Sequence, residues 1–436
     1  MTGERPRRPR ALRRPGLSRR RLLSATATGL VGALAGCGYR PGGGDLAWES
    51  SLGDGGLLGV EAPRFAVAPD RLFVVRNQSG RTFDFDTETW GSVENATVTA
   101  VDAAGATRLD AETERQAVAP PAVTGESVFV PVVGEGVTAI DRDAAGIDPD
   151  ARETGGGTGG EATEAGDEIR WQVDGIGGDS GTGDSGESAD PPGIEGVRAS
   201  DRLVAVVTGT ELAALDAETG DRAFGVTEAW TGPDDGSADR VAVEGENVWA
   251  AMGGENARTA LVRFGPSGER RAERSVSAPL DWLVRADETL VAGSVEAGTV
   301  TGFDADLDRR FSLSVPTPSD RPPVVAGSDG RARRRLYLHR DGAARALDVE
   351  AGEIAWERTD APARRRAAVD ADGIYAVRSR AILAIGADGE DRWRAPLPDR
   401  VTVDELFAVG GRLIAVDGEE LYGFHATPGE RWSLVG

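Results

Sequence analysis

The chain contains no lysine, a single cysteine (Cys37) and two histidines (His339 and His425) in 436 residues. One cysteine excludes an internal disulfide framework, a cysteine-type zinc site and a haem attachment motif. Neither histidine stands beside a recognisable serine or cysteine nucleophile, and a lone histidine without partners is rarely a base or a ligand. No Gly-rich phosphate loop is present. Long periodic helical stretches are missing as well, which leaves an all-β reading for the mature chain.

Arginine carries every basic charge. The net charge is −23, yet residues 1–36 hold nine arginines and one glutamate, so the remainder stands near −31. An acidic surface with arginine as its only base resembles proteins of extreme halophiles, archaea above all, which stay soluble in molar salt behind hydrated carboxylates. The same charge argues against a nucleic-acid partner, which needs a basic face.

Residues 1–36 read as a targeting segment. Ser18-Arg19-Arg20-Arg21-Leu22-Leu23 resembles the twin-arginine export motif, with Arg19 and Arg20 as its pair. The weakly apolar run from Leu22 to Ala35 is too short for a spanning helix. It ends in Leu34-Ala35-Gly36-Cys37, which resembles a prokaryotic lipobox, so Cys37 is the expected lipidation site. A secreted protein with an incidental cysteine is the alternative. Residues 37–45, with Pro41-Gly42-Gly43-Gly44, read as a flexible tether from a lipid on Cys37 to a folded body.

From residue 46 to residue 436 the chain repeats itself. Leu347-Asp348-Val349-Glu350-Ala351-Gly352-Glu353-Ile354-Ala355-Trp356 reads as two strands around a tight turn, Asp folding onto the following N–H groups and Gly supplying a left-handed conformation. Leu215-Asp216 with Phe224, Phe303-Asp304 with Phe311, Ile385-Gly386 with Trp393, and Phe424-His425 with Trp432 repeat the spacing, and Val101-Asp102 keeps it with Leu109. Eight units start near Pro63, Pro121, Gly196, Arg240, Pro279, Pro322, Arg364 and Val401. Units of roughly 40–45 residues with four strands each are the mark of a β-propeller blade. The expected fold is one all-β propeller of about eight blades, seven being the other possible count.

Several stretches stand outside that pattern. Leu46-Ala47-Trp48 reads as a final strand ahead of any complete unit. Arg431-Trp432-Ser433-Leu434 already offers a final strand at the other end, so one strand is in surplus. Either it adds to an edge of blade eight or a unit is miscounted. Ser79 to Asn95 reads as an inserted loop with Phe83, Phe85 and Trp90, either folded over a neighbour or free to bind a partner. Gly146–Gly166 and Gly175–Pro192 are low-complexity and expected to be disordered. Arg333–Arg335 and Arg364–Arg366 are expected to pair with carboxylates of adjacent blades rather than bind anions. Asp102, Asp141, Asp216, Asp304 and Asp348 recur at one place in each unit, as turn formers.

The Ala-Leu-Asp-x-x-x-Gly-x-x-x-Trp pattern at Ala346–Trp356 is similar to the PQQ-like (quinoprotein-type) propeller repeat. That family includes pyrroloquinoline-quinone alcohol dehydrogenases and BamB-like lipoproteins. The resemblance implies that Trp171, Phe224, Phe311, Trp356, Trp393 and Trp432 dock one blade on the next. The quinoprotein enzymes need a calcium-held quinone and usually a vicinal disulfide, which one cysteine cannot form. The resemblance is therefore nearer to the BamB-like group, and no catalytic or metal residue is assigned. It implies an exported scaffold without cofactors, lipid-anchored on the outer face of the cytoplasmic membrane, binding a membrane or cell-surface protein. A divergent quinoprotein dehydrogenase holding PQQ and calcium, and a surface polymer- or sugar-binding protein, are the alternatives.

Overall fold

The computed structural model describes residues 42–52, 59–84, 89–144, 168–176, 193–227, 237–253, 259–316, 324–325, 335–340, 343–359 and 367–427. Within them the chain forms eight antiparallel sheets, seven of four strands and one of five. It is an eight-bladed β-propeller. A single 3-10 turn, Ser237–Arg240, is the only helical element among the described residues.

The third blade shows how the sequence dictates the architecture. Its strands are Ile194–Ala199, Leu203–Thr208, Leu212–Asp216 and Arg222–Val226, hydrogen-bonded in that order. Leu203–Thr208 is buried along its whole length. A strand reads as a continuous apolar run when both sheet faces are covered, and in a propeller each face of a blade meets another blade. Outer strands alternate instead: Glu353–Arg358 of the sixth blade turns every second side chain to solvent. The apolar residues divide into eight clusters, one in each wedge between consecutive blades, the last joining the eighth blade to the first. The core is thus a ring of wedges, and the count of wedges settles the blade number at eight.

First strands of most neighbouring blades touch around the axis, and Glu405–Val409 of the last blade touches Arg64–Val67 of the first. The closing blade is built from both chain ends. Leu46–Ser51 pairs antiparallel with Glu420–His425 as the outermost strand beside Arg412–Asp417 and Glu405–Val409. The strand around Trp48 is therefore the fourth strand of blade eight, at its outer edge. The competing segment, Arg431–Leu434, lies outside the described residues.

The stretch from Ser79 to Asn95 is not an inserted loop. Arg71–Asp84 and Thr89–Asp102 are 14-residue strands paired without interruption from Arg71↔Asp102 to Asp84↔Thr89. The second and third strands of the first blade run on past the sheet as a hairpin, because Thr, Val, Trp and Phe on both sides keep the strand pattern going. The first strand of that blade is correspondingly broken, into Gly59–Val60 and Arg64–Val67. Nearly all of Gly146–Gly166 and Gly175–Pro192 lies outside the described residues.

Antiparallel order gives the propeller two distinct ends. The Asp–Gly turns between third and fourth strands lie at one end, together with the turns joining first to second strands. The hairpin projects from the other end, where second strands turn into third.

Candidate functional site

Most repeats build a junction from a turn-opening aspartate, a turn glycine and an aromatic. Asp102 accepts the N–H groups of Ala104 and Ala106, Asp216 those of Glu218 and Thr219, Asp304 those of Asp306 and Asp308, Asp141 that of Asp143 and Asp348 that of Ala351. Burial by itself pushes the Asp102 pKa up. The N–H of Ala106, the Arg108 guanidinium and the N–H of Ala104 outweigh it and hold the carboxyl below its usual range. These carboxylates are consumed by their own turns.

The turn thus fixed presents a carbonyl and a glycine to the preceding blade. Trp171 donates its indole N–H to Ala217 O at 3.1 Å, and Trp356 to Ala387 O at 3.1 Å. Trp393 donates to Ala426 O at 3.0 Å, and Trp48 to Ala103 O at 2.9 Å. In every case the acceptor follows the turn-opening residue of the next blade. The turn glycine then lies against the ring: Gly220 against Trp171, Gly105 against Trp48, Gly389 against Trp356, Gly268 against Phe224 and Gly352 against Phe311. All five glycines have φ between 68° and 87°, a conformation an L residue adopts only with strain. Trp432 is outside the described residues, and in the last blade Trp48 holds the corresponding position.

A second signal accompanies each aromatic. Across the ladder from it sits a small residue, as in Ala139↔Trp171, Ala214↔Phe224, Gly302↔Phe311, Ala346↔Trp356, Ala384↔Trp393 and Gly423↔Trp48. In each of these six pairs that residue stands two places before the turn-opening position, so it was legible in the sequence. The fourth blade inverts the pair, as Arg263↔Ala272. Arg263 donates to Ala305 O at 2.7 Å, the same carbonyl position a tryptophan reaches elsewhere. The large donor has moved to the neighbouring strand and keeps the same contact.

Blade eight has no continuous turn at this place. The N–H of His425 donates to Asp45 O at 3.0 Å, and that of Gly44 to His425 O at 2.8 Å. Gly43 lies on the Trp393 ring with no room for a Cβ, as turn glycines do elsewhere. The Asp–Gly turn is reassembled from two chain ends, with His425 where Asp stands in other blades. Burial first, and then Arg412, push the His425 imidazole below its usual value. His339 lies on a different blade, in Arg335–Arg340.

Arginine–carboxylate pairs bridge adjacent blades: Arg71 with Asp143 at 2.6 Å, Arg142 with Asp70, Arg274 with Asp308 at 3.3 Å and Arg285 with Glu244 at 2.5 Å. Arg335 instead pairs with Asp348 of its own blade at 3.1 Å. Arg333, Arg334 and Arg364–Arg366 are outside the described residues.

A hydrogen-bonded cluster of titratable groups lies on the seventh blade. Tyr375 donates its hydroxyl to Asp370 at 2.9 Å, while Arg392 reaches Tyr375 and Asp372, both at 3.0 Å. Burial raises both the Asp370 carboxyl and the Tyr375 phenol. Tyr375 packs on Trp393 at 5.9 Å, so the network holds a junction in place. A groove on the same blade is lined by Arg378, Ser379, Leu383, Asp391 and Arg394. On the hairpin, Trp90 is 60% exposed, with the Arg81 guanidinium 5.8 Å from its ring centre.

Among the described residues no group of three or more His, Cys, Asp and Glu side chains is gathered to hold a metal ion. No described helix is long and apolar enough to cross a membrane. Cys37, Arg19 and Arg20 lie outside the described residues.

No curated protein matches the chain in sequence. Among solved structures it is similar to BamB from Moraxella catarrhalis at 13% identity and a TM-score of 0.50, over 87% of this chain and 98% of that one. It is also similar, with a TM-score of 0.43 and 10% identity, to a chain of the mitotic checkpoint complex, over 70% and 86% of the two chains. A family model described as outer membrane protein assembly factor BamB matches residues 37–311 and 322–435. That match covers most of the chain and all eight blades, and the chain belongs to this PQQ-like propeller family.

Proposed function

We propose that this chain is a protein-binding scaffold without catalysis of its own, exported and held on the outer face of the cytoplasmic membrane by a lipid on Cys37. The carrying observation is the family match from residue 37 to residue 435, with one gap of ten residues. The family's description names an assembly factor, and what passes to this chain is protein binding in general. The junction geometry supports the reading. Recurrent carboxylates, glycines and most aromatics are used in holding blades together, which leaves a rigid ring whose ends are free for partners. The reading needs no cofactor.

A second reading rests on Trp90, which is 60% exposed beside Arg81 on a projecting hairpin. An aromatic presented this way suits a sugar or surface polymer as well as a protein.

High-salt co-purification from native membranes, comparing wild type with Cys37→Ser, tests the scaffold. Specific membrane or surface proteins retained by wild type and lost with Cys37→Ser are the expected result. Recovery of the protein alone, with a bound quinone or metal, overturns it. Polymer binding that vanishes when residues 80–94 are replaced by a short turn would favour the second reading.

A further inference from the structure

We infer that the end of the propeller carrying the Asp–Gly turns faces the lipid bilayer, and that the Trp90 hairpin points away from it. The inference rests on the lipid-anchor reading of Cys37 and adds the orientation that the anchor imposes.

The argument starts from where the tether ends. Gly43 lies on the Trp393 ring, Gly44 donates to His425 O, and Asp45 O accepts from His425 N–H. The chain is therefore fixed to the body from Gly43 onward, at the reassembled turn of blade eight. From Cys37 to Gly43 there are six residue steps. Fully extended, they span about 20 Å. A glyceride on Cys37 holds the rim of blades seven and eight within that distance of the membrane surface.

The opposite end is out of reach. Leu46–Ser51 runs from Phe424 at its start to Glu420 at its finish, so the strand leaves the tethered end and climbs to the other. Six residues of strand rise about 20 Å. On the adjacent first blade, the hairpin continues past the Gln78↔Asn95 pair through Phe83↔Trp90. Those five residue pairs add about 17 Å. Trp90 thus stands nearly two sheet heights from the tethered rim, with the whole body between it and the lipid. The Asp–Gly turn end has the bilayer as its partner surface, and the hairpin end is the one open to the exterior.

The test uses the full-length lipidated chain in vesicles. If Cys37 carries the lipid, an introduced cysteine is the only free thiol. Ala387→Cys places one at the tethered end, beside an Asp–Gly turn, and Ser92→Cys places one on the hairpin; both positions are exposed. Each is labelled with a fluorophore, and vesicles carry lipids with a nitroxide on the headgroup. The expected result is loss of fluorescence at position 387 and none at position 92. Equal loss at both, or loss only at 92, in protein that stays bound to vesicles overturns the orientation while leaving the anchor intact. Labelling of the wild-type chain at Cys37, with protein released from vesicles, overturns the anchor and the orientation together.

Discussion

A double-mutant cycle at one junction isolates the contact that repeats around the ring. Gly220 has φ +78° and a Cβ placed on it would meet the Trp171 ring at 2.7 Å. Gly245 has φ +55° and open space where its Cβ would go. Alanine at Gly245 carries only the left-handed backbone penalty, about 1–2 kcal/mol. At Gly220 alanine carries that penalty and an overpacking cost of roughly 1–3 kcal/mol besides. Trp171→Ala alone removes a nearly buried indole and its bond to Ala217 O, costing about 3–5 kcal/mol. In that background the ring no longer opposes a Cβ, so Gly220→Ala should fall back to the Gly245→Ala value. The interaction term is then about 1–3 kcal/mol. Urea unfolding in constant molar salt, with the slope checked for constancy, reads all four variants. If Gly220→Ala costs no more than Gly245→Ala, or costs the same with and without Trp171, the glycine is not there for the ring.

Other outcomes follow from the same structure. Trp48→Ala should open the closing blade, at a cost of about 3–5 kcal/mol, and limited proteolysis should then cut near the chain ends first; unchanged cleavage would place the closure elsewhere. The folded-state imidazole of His425 is pushed down, so the unfolded chain binds the proton more readily below the ordinary histidine value of 6.5. Stability should therefore decline as pH falls through that region, and His425→Asn should flatten the decline in a thermal titration. A chain of net charge −23 repels itself, and its exposed ion pairs are individually weak. Raising sodium chloride from about 0.1 to 1 M shortens the screening length from about 10 to 3 Å and should raise the melting temperature, whereas a fall would mean the inter-blade arginine pairs dominate.

The repeat was legible because most blades spend their sequence in a similar way: largely apolar middle strands, a turn of Asp and Gly, and an alternating outer strand. That pattern carried the fold and the turn role of the aspartates, while the resemblance to the PQQ-like repeat supplied the expectation that aromatics meet the next blade. Three features escaped it. The Ser79–Asn95 hairpin looked like a loop because its acidic residues and Gly80 and Gly91 mask a strand pattern that only cross-strand pairing reveals. The place of Trp48 was undecidable because pairing between chain ends leaves no local signature, and Trp432 offered an equal match by spacing. Arg263 was passed over because its role comes from the residue it faces, Ala272, and not from its own repeat position. The two ends of the propeller were the least legible, because the turns that join strands there carry little packing constraint to write a pattern into the chain.

The scaffold reading is tested most directly by native mass spectrometry of the full-length protein released from its own membranes in high salt. A species bearing lipid on Cys37 and one or more defined protein partners, with no added small-molecule mass, is the predicted result. A species without partners that carries the mass of a quinone would contradict it.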